Sequence, residues 1–202
     1  RQIMLFFSGS SNQSLAKKVA KGFAKDLSKI EIVTFPDKEN RVRVIDKVLD
    51  KDVIVIQSTG VSPNRYYMEL FFILDSVKRS GAKSVTLVLP YVGYQRQDHI
   101  FRSGEAVSLE VIINILKTMK VDRVISFDLH SLKIEEFFKL RRIEITHLSA
   151  LSVFAQKIKD MKLKDYVLVS PDMGGIRRIR LISKMLGDAP YVTIVKNRDL
   201  YT

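Results

Sequence analysis

An aspartate and a histidine one residue apart are the clearest candidates for chemistry in this sequence. Asp128 and His130 directly follow the apolar segment Arg123–Phe127, which we predict to be a β-strand. Alternate residues of an extended chain share a face, so both side chains would point to the same side. A carboxylate and an imidazole placed together suit a divalent metal ion or a metal-bound phosphate. The alternative is a histidine with a purely structural role; the second polar group beside it favours a functional site.

A second candidate is the turn at residues 171–175, which reads Pro-Asp-Met-Gly-Gly and follows another apolar stretch. Gly174 and Gly175 would let backbone N–H groups approach an anion at the start of a helix. Asp172 could hold Mg²⁺, a hard ion that prefers oxygen ligands. The alternative is a plain strand-to-helix turn.

Two further segments carry side chains that could bind phosphate. Arg96 and Gln97 follow a turn that contains proline and glycine. An arginine can bind phosphate through two hydrogen bonds, and a glutamine can read the edge of a base. Lys196 and Arg198, at alternate positions, could neutralise charge in a phosphoryl-transfer transition state. A solvated basic loop and a frayed basic tail are the respective alternatives.

Residues 35–39, Phe-Pro-Asp-Lys-Glu, form a loop with an aromatic ring and two carboxylates. Asp37 and Glu39 could accept hydrogen bonds from an exocyclic amine or from ribose hydroxyls, and Phe35 offers a stacking face. On this segment alone, an ordinary polar turn is the better interpretation. Neither GxGxxG nor GxxxxGK[S/T] occurs, so the Rossmann fingerprint and the Walker loop are absent.

The elements that must position these residues alternate along the chain. Short β-branched stretches, from residues 3–7 to residues 191–195, alternate with amphipathic stretches of helical length. This pattern predicts an α/β fold with a mostly parallel sheet and helices on both faces. We expect a helix at residues 14–27, capped by Ser10, Ser11 or Asn12, and a second strand of the sheet at residues 30–35. Ligands bind beyond the carboxyl ends of strands in such sheets, where the candidate residues fall.

Composition limits the class of protein. The 202 residues, of which 46% are hydrophobic, suffice for one large or two small domains. The absence of cysteine excludes disulfides and thiol catalysis, and three histidines argue against a zinc cluster. A net charge of +12 predicts anionic partners. We see neither a bilayer-spanning apolar run nor a signal peptide, and we expect a soluble, cytoplasmic piece of a longer chain.

Taken in order, several segments resemble the ribose-phosphate diphosphokinase family, the phosphoribosyl diphosphate (PRPP) synthetases. They run from about residue 3 to residue 198 and include FPDKE, DVIVIQST, QRQD, GEAVS, FDLHS, SPDMGG and VKNR. The resemblance implies tandem phosphoribosyltransferase-type α/β domains with mostly parallel sheets, one at residues 1–147 and an incomplete one at residues 148–202. It also implies transfer of the diphosphoryl group of MgATP to ribose 5-phosphate, giving PRPP and AMP for nucleotide biosynthesis.

The same resemblance assigns roles to individual residues. ATP would be bound by six residues, the first four forming an adenine-binding loop from a neighbouring subunit: Phe35, Asp37, Lys38, Glu39, Arg96 and Gln97. Mg²⁺ would be bound by His130 and Asp172, with Asp128 as a further ligand. Catalysis would fall to Lys196, which stabilises the transferring group, and to Arg198, which contacts the substrates. The resemblance also implies a homo-oligomer built from dimer units, which is usually a hexamer in the family. It implies no nucleic-acid partner and no association with a membrane.

The sequence also departs from the family pattern. It ends before the acidic loop that binds ribose 5-phosphate, so we expect these 202 residues to bind MgATP weakly and to transfer little. Residues 64–67 are bulkier than usual, and Asn197 stands where a basic residue is common. A non-catalytic regulatory subunit of the same fold is one alternative, and a nucleic-acid-binding module, suggested by the charge, is another. The retained set of Lys196, Arg198, His130 and Asp172 favours the enzyme.

Overall fold

The computed structural model describes residues 4–131 and 133–195. In chain order the elements are β1 (Met4–Ser8), α1 (Gln13–Gly22), β2 (Ile30–Thr34), β3 (Asn40–Val44), β4 (Asp52–Ile56), α2 (Pro63–Arg79), β5 (Ser84–Leu89), α3 (Ser108–Thr118), β6 (Arg123–Phe127), α4 (Lys133–Leu140), β7 (Glu144–Leu148), α5 (Leu151–Asp160), β8 (Leu168–Ser170), a 3₁₀ turn (Met173–Gly175), α6 (Ile176–Met185) and β9 (Tyr191–Thr193).

A five-stranded parallel sheet of order β1-β4-β5-β6-β7 forms the centre of the N-terminal part. From β5 onward each strand pairs with the one before it, and a helix makes each crossover. Parallel neighbours require such long connections because the chain must return to the same end of the sheet. The predicted α/β fold with a mostly parallel sheet is confirmed.

Both faces of this sheet are covered. Phe6 and Phe7 are consecutive on β1, point to opposite faces and are both buried. Phe7 belongs to the large cluster that includes the apolar residues of α2, α3 and α4. Phe6 packs instead with Ala16 and Ala20 of α1 in a second, smaller cluster. The sheet therefore lies between α1 on one face and three helices on the other.

Helix α1 is shorter than the sequence predicted. It ends at Gly22 rather than at residue 27, and Ala24 adopts a left-handed conformation with a φ of 53°. Leu27 still packs against the smaller cluster, but from the loop and not from the helix. The place of Leu27 in the apolar pattern therefore reflects its burial and not helical periodicity. Of the three capping candidates, Asn12 caps the helix, since its side chain accepts the Leu15 N–H at 3.2 Å.

The second strand does not join the main sheet, contrary to the prediction. β2 pairs antiparallel with β3 in a separate two-stranded sheet, in which Thr34 lies opposite Asn40. Five residues connect the two strands, enough for a hairpin but too few for a parallel crossover. Residues 35–39 therefore form a hairpin tip, rather than a loop at the carboxyl edge of the five-stranded sheet.

The chain divides into two compact units, Arg1–Leu148 and Ser149–Thr202. The second unit holds α5, α6 and a two-stranded parallel sheet of β8 and β9. The assignment of residues 1–147 and 148–202 to phosphoribosyltransferase-type domains stays a prediction. Within the described residues, none of the helices is long and apolar enough to cross a membrane.

Candidate functional site

Two loops at the carboxyl edge of the main sheet are tied together by buried hydrogen bonds. Gln95, after β5, accepts the backbone N–H of His130, after β6, at 2.9 Å through its Oε1. Three residues on, Asp98 Oδ2 accepts the hydroxyl of Ser131 at 2.6 Å. The side chains of Gln95 and Asp98 belong to residues only 6% and 4% exposed. Each loop thus holds the other in place.

Asp98 is the electrostatic centre of this connection. Its Oδ1 also lies 2.6 Å from Nδ1 of His99. Desolvation, the largest single influence, raises the pKa of the Asp98 carboxyl, but the hydrogen bonds from Ser131 and His99 outweigh it and leave the pKa below its usual value. The carboxylate is therefore ionised at neutral pH and can accept both hydrogen bonds.

The structure places Arg96 and Gln97 between these two tethers, on an exposed stretch of the loop. The Gln97 side chain is oriented by Ser108, whose hydroxyl donates to its Oε1 at 2.6 Å. Beside both residues opens a cavity of about 310 Å³, whose wall also includes Thr59, Gly60, Pro63, Tyr91 and Tyr94. The predicted phosphate-binding and base-reading side chains thus border a concave surface.

Asp128 and His130 lie on the neighbouring turn after β6. Asp128 adopts a left-handed conformation with a φ of 43°, uncommon for a residue other than glycine. Its N–H donates to the carbonyl of Leu148 at 3.0 Å, which ties the turn to β7. Asp128 is half-buried and His130 is exposed. Of the predicted residues, the structure brings His130, Asp128, Arg96 and Gln97 to one edge of the sheet.

Asp172 lies in the second unit, on the turn that joins β8 to the 3₁₀ turn and α6. Its Oδ1 accepts the N–H of Gly175 at 3.1 Å, as an N-cap does. The Ser170 hydroxyl donates to the Asp172 carbonyl at 2.8 Å. An ionised carboxylate has about four lone-pair positions, so the cap leaves capacity for a cation on the same group.

The hairpin tip at residues 35–39 makes its hydrogen bonds within itself. Phe35 N–H donates to the Glu39 carbonyl at 2.8 Å, and Glu39 N–H donates to Asp37 Oδ1 at 3.1 Å. The ring of Phe35 is 39% exposed, with the Arg41 guanidinium 5.8 Å from its centroid. Between hairpin and α2 lies a cleft of about 810 Å³, bordered by Lys38, Glu39, Arg65, Met68 and Phe72. The tip belongs to the β2–β3 hairpin, and this cleft separates it from α2.

Sequence reasoning missed a buried polar network at the end of β1 and β4. Glu69 of α2, only 1% exposed, accepts the N–H of Ser10 at 2.6 Å, the Ser10 hydroxyl at 2.7 Å and Nε2 of Gln57 at 2.8 Å. Gln57 Oε1 in turn accepts the hydroxyl of Ser11 at 2.7 Å. A glutamate on the apolar face of a predicted helix was the available signal, because such a charge needs hydrogen-bonding partners.

Comparison with known proteins decides what these features belong to. Residues 4–119 match the family model described as the N-terminal domain of ribose phosphate pyrophosphokinase. The chain belongs to that family. The resemblance inferred from FPDKE, QRQD, FDLHS and SPDMGG is thereby confirmed.

Individual members of the pyrophosphokinase family align with nearly the whole chain. The ribose-phosphate pyrophosphokinases of Bacillus caldolyticus and Corynebacterium ammoniagenes are each 38% identical over 192 residues, or 95% of this chain. These alignments cover 60% and 59% of the two relatives, so the chain spans about 60% of their length. The crystal structure of phosphoribosylpyrophosphate synthetase from Mycobacterium smegmatis superposes with a TM-score of 0.88 at 32% identity. It covers 98% of this chain and 66% of that one.

Mg²⁺ is the metal that the sequence predicts for this chain. Within residues 4–131 and 133–195, no group of three or more His, Cys, Asp or Glu side chains is arranged to hold a metal ion. Mg²⁺ usually keeps several waters and binds through one or two carboxylates plus substrate phosphates. Asp128 and Asp172 each offer the kind of oxygen donor that Mg²⁺ prefers when it arrives with a nucleotide. They stay predicted ligands, as does His130.

The two predicted catalytic residues, Lys196 and Arg198, lie outside the described residues. Their roles rest on the VKNR match and stay predictions. The ATP-binding roles of Phe35, Asp37, Lys38 and Glu39, and of Arg96 and Gln97, stay predictions as well.

Proposed function

We propose that this chain is part of a ribose-phosphate diphosphokinase that acts in the cytoplasm on MgATP and ribose 5-phosphate and releases PRPP and AMP. One observation carries the proposal beyond family membership. The loop with Arg96 and Gln97 is tied to the turn with Asp128 and His130 through Gln95 and Asp98. A phosphate-binding arginine and candidate metal ligands are thereby held at one edge of the sheet, where α/β proteins bind nucleotides.

In the proposed reaction, the anomeric hydroxyl oxygen of ribose 5-phosphate attacks the β-phosphorus of ATP. A new oxygen–phosphorus bond forms, the bond from the β-phosphorus to the bridging oxygen of the α-phosphate breaks, AMP leaves with that oxygen, and the hydroxyl proton is released. The sugar supplies the nucleophile, so the protein needs to orient the reactants and stabilise charge rather than form a covalent bond. Bound Mg²⁺ would neutralise charge on the phosphates.

The chain's residues divide this work in the proposal. Arg96 donates hydrogen bonds to phosphate oxygens, and Gln97, held by Ser108, contacts the nucleotide. Asp128 and His130 in the first unit, and Asp172 in the second, are the proposed Mg²⁺ ligands. Lys196 stabilises the charge of the transferring group, and Arg198 contacts the substrates. The roles of Lys196 and Arg198 rest on the resemblance to the family alone.

A second copy of the chain completes the ATP site in this proposal. The hairpin tip is self-contained, and its Phe35 ring is exposed, which suits a loop that serves another molecule. We propose a homo-oligomer in which Phe35, Asp37, Lys38 and Glu39 contact the adenine bound by a neighbour. A titration with Phe35→Ala mixed with an Arg96→Ala variant tests this. Recovery of MgATP binding in the mixture supports a shared site, and its absence contradicts one.

Phosphorus NMR of the purified chain with MgATP and ribose 5-phosphate tests the reaction. AMP and PRPP signals that appear together would support the diphosphokinase. The matched controls are Arg96→Ala, which should weaken MgATP binding, and Lys164→Ala, an exposed lysine of the second unit, which should not. Binding of MgATP without turnover, unchanged in a longer native protein, would favour the regulatory subunit. Failure to bind MgATP at all would contradict both.

A further inference from the structure

His147 on β7 contacts the turn that carries the candidate metal ligands Asp128 and His130, and it is not itself among the candidate site residues. Its Nε2 lies 3.1 Å from the backbone nitrogen of Leu129, the residue between Asp128 and His130. Its Nδ1 lies 3.2 Å from Oε1 of Glu135 on α4. The imidazole therefore bridges the turn to the helix that follows it.

The two contacts define the tautomer of the ring. The Leu129 N–H is a donor, so Nε2 must offer its lone pair and carry no proton. The ring proton of neutral His147 is then on Nδ1, where it donates to the Glu135 carboxylate. Glu135 Oε2 lies 3.7 Å from the ammonium of Lys139 one helical turn on. Glu135 thus keeps the ring in the one neutral form that can accept from Leu129.

The hydrogen bond acts at the point where the turn changes direction. Asp128 has a φ of 43°, and the peptide that follows it carries the Leu129 N–H. An acceptor for this N–H fixes the orientation of the peptide between Asp128 and Leu129. The Leu129 side chain is 5% exposed, so the peptide is anchored from its apolar side as well. The directions of the Asp128 and His130 side chains follow from that orientation.

We propose that His147, as the Nδ1–H tautomer held by Glu135, is a positioning residue for the turn at residues 128–130. It touches neither nucleotide nor metal in this proposal and acts through the Leu129 peptide. The consequence for MgATP rests on the function proposed above; the geometry of the turn does not. Metal-binding histidines depend on their carboxylate partners in the same way, because a residue that orients a metal ligand affects metal affinity almost as much as the ligand itself.

Nitrogen NMR on the uniformly ¹⁵N-labelled 202-residue chain tests the geometry directly. A scalar coupling across the hydrogen bond should link the Leu129 amide nitrogen to Nε2 of His147, and the proton should be found on Nδ1. Glu135→Ala should weaken that coupling as the other tautomer becomes populated. Glu136→Ala, an exposed glutamate of the same helix, is the matched control and should leave it unchanged. A well-folded chain without the coupling would overturn the proposal, whatever its activity.

Two substitutions at residue 147 separate positioning from packing. His147→Leu keeps bulk but removes the acceptor, and should weaken MgATP binding by about 10- to 100-fold, the usual effect of losing a partner that orients a ligand. His147→Gln keeps an oxygen near the Nε2 position and should restore most of that affinity. Equal affinities in these two variants would overturn the proposal. Should the unaltered chain bind no MgATP, the function proposed above fails, and the coupling decides the role of His147.

Discussion

Two strand-to-helix turns carry the acidic candidate ligands, and their hydrogen bonds differ in reach. The turn at residues 128–131 is held by partners far away in the chain: Gln95 is 35 residues from His130, and Asp98 is 33 residues from Ser131. The side-chain hydrogen bonds of the turn at residues 170–175 span two or three residues, while a backbone bond from the Ile194 N–H to the Ser170 carbonyl, at 2.9 Å, ties it to a distant segment. Both turns present an aspartate after an apolar strand, but distant side chains hold the first and local side chains hold the second.

The difference teaches where each turn is vulnerable. The 128–131 turn can be disturbed from β7 or from the loop after β5 without any change in its own sequence. The 170–175 turn is supported by its own serine and aspartate side chains and by a backbone bond from Ile194, so distant side chains matter less to it. Function that depends on the first turn should therefore respond to distant substitutions, whereas function that depends on the second should respond to local ones. Substitutions within and far from each turn therefore test that contrast.

The largest effect is expected outside both turns. Lys196→Ala removes the charge proposed to stabilise the transferring group, and should lower kcat by about 10²- to 10³-fold, as loss of one transition-state donor does. The affinity for MgATP should change little, because the turns proposed to bind it are intact. Rates of AMP release followed by phosphorus NMR measure the loss. An unchanged kcat would show that Lys196 does not stabilise the transferring group.

The next effect is expected at the long-range tether. Asp98→Ala leaves Ser131 and His99 without their carboxylate partner, and should lower the free energy of unfolding by about 1–3 kcal/mol. Urea denaturation measures it. MgATP binding should weaken as well, since the loop that carries Arg96 loses its hydrogen bond to Ser131, the neighbour of His130. Full stability in this variant would mean that the two loops do not depend on each other.

Acid should abolish the contribution that the Asp98 carboxylate makes to the free energy of unfolding. The pKa of Asp98 is lower in the folded chain than its ordinary 3.8, so the unfolded chain takes up the proton more readily. The stabilisation is present above pH 3.8 and is lost as the pH falls below that value through the lowered folded pKa. The stability difference between the unaltered chain and Asp98→Asn should therefore narrow in that acidic range. A difference that is constant with pH would contradict the ionised state of Asp98.

Most of the local structure could be predicted, because local rules determine it. The bounds of β5 and β6 and the Asp172 turn follow from apolar runs, an N-cap residue and glycines that lie next to one another. The Gln95–His130 and Asp98–Ser131 bonds could not be predicted, since nothing in a linear pattern pairs side chains more than 30 residues apart. β2 shows the same limit: its strand character was predicted, but its pairing with β3 was not.

A smaller effect is expected from crowding the local turn. A methyl group on Gly175 would overlap Ser170 Oγ, which must rotate and give up its bond to the Asp172 carbonyl. Gly175→Ala should therefore cost about 0.5–1.5 kcal/mol of unfolding free energy, the value of one hydrogen bond. Gly174→Ala, whose methyl group would stand 3.2 Å from Asp172 Oδ1, is the control and should cost less. Equal costs would mean that Ser170 does not support the turn.

The smallest change in stability is expected from Asp172→Asn. Asparagine caps a helix about as well as aspartate, so the free energy of unfolding should change by less than about 0.5 kcal/mol. The negative charge is lost, however, and MgATP should bind more weakly if Asp172 is a magnesium ligand. Calorimetric titration with MgATP separates the two roles. Unchanged affinity would leave Asp172 as a cap alone.

The strand order has a consequence for how the chain folds as it is made. β5, β6 and β7 can each add to the strand synthesised just before it, whereas β1, among the described residues, pairs with β4 alone, and Met4 lies opposite Asp52, 48 residues later. At about 5–20 residues per second, the ribosome leaves β1 without its partner for about 2–10 s. Leu5, Phe6 and Phe7 are exposed in that interval, so nascent chains are expected to bind a chaperone that recognises short apolar segments until Asp52–Ile56 has emerged.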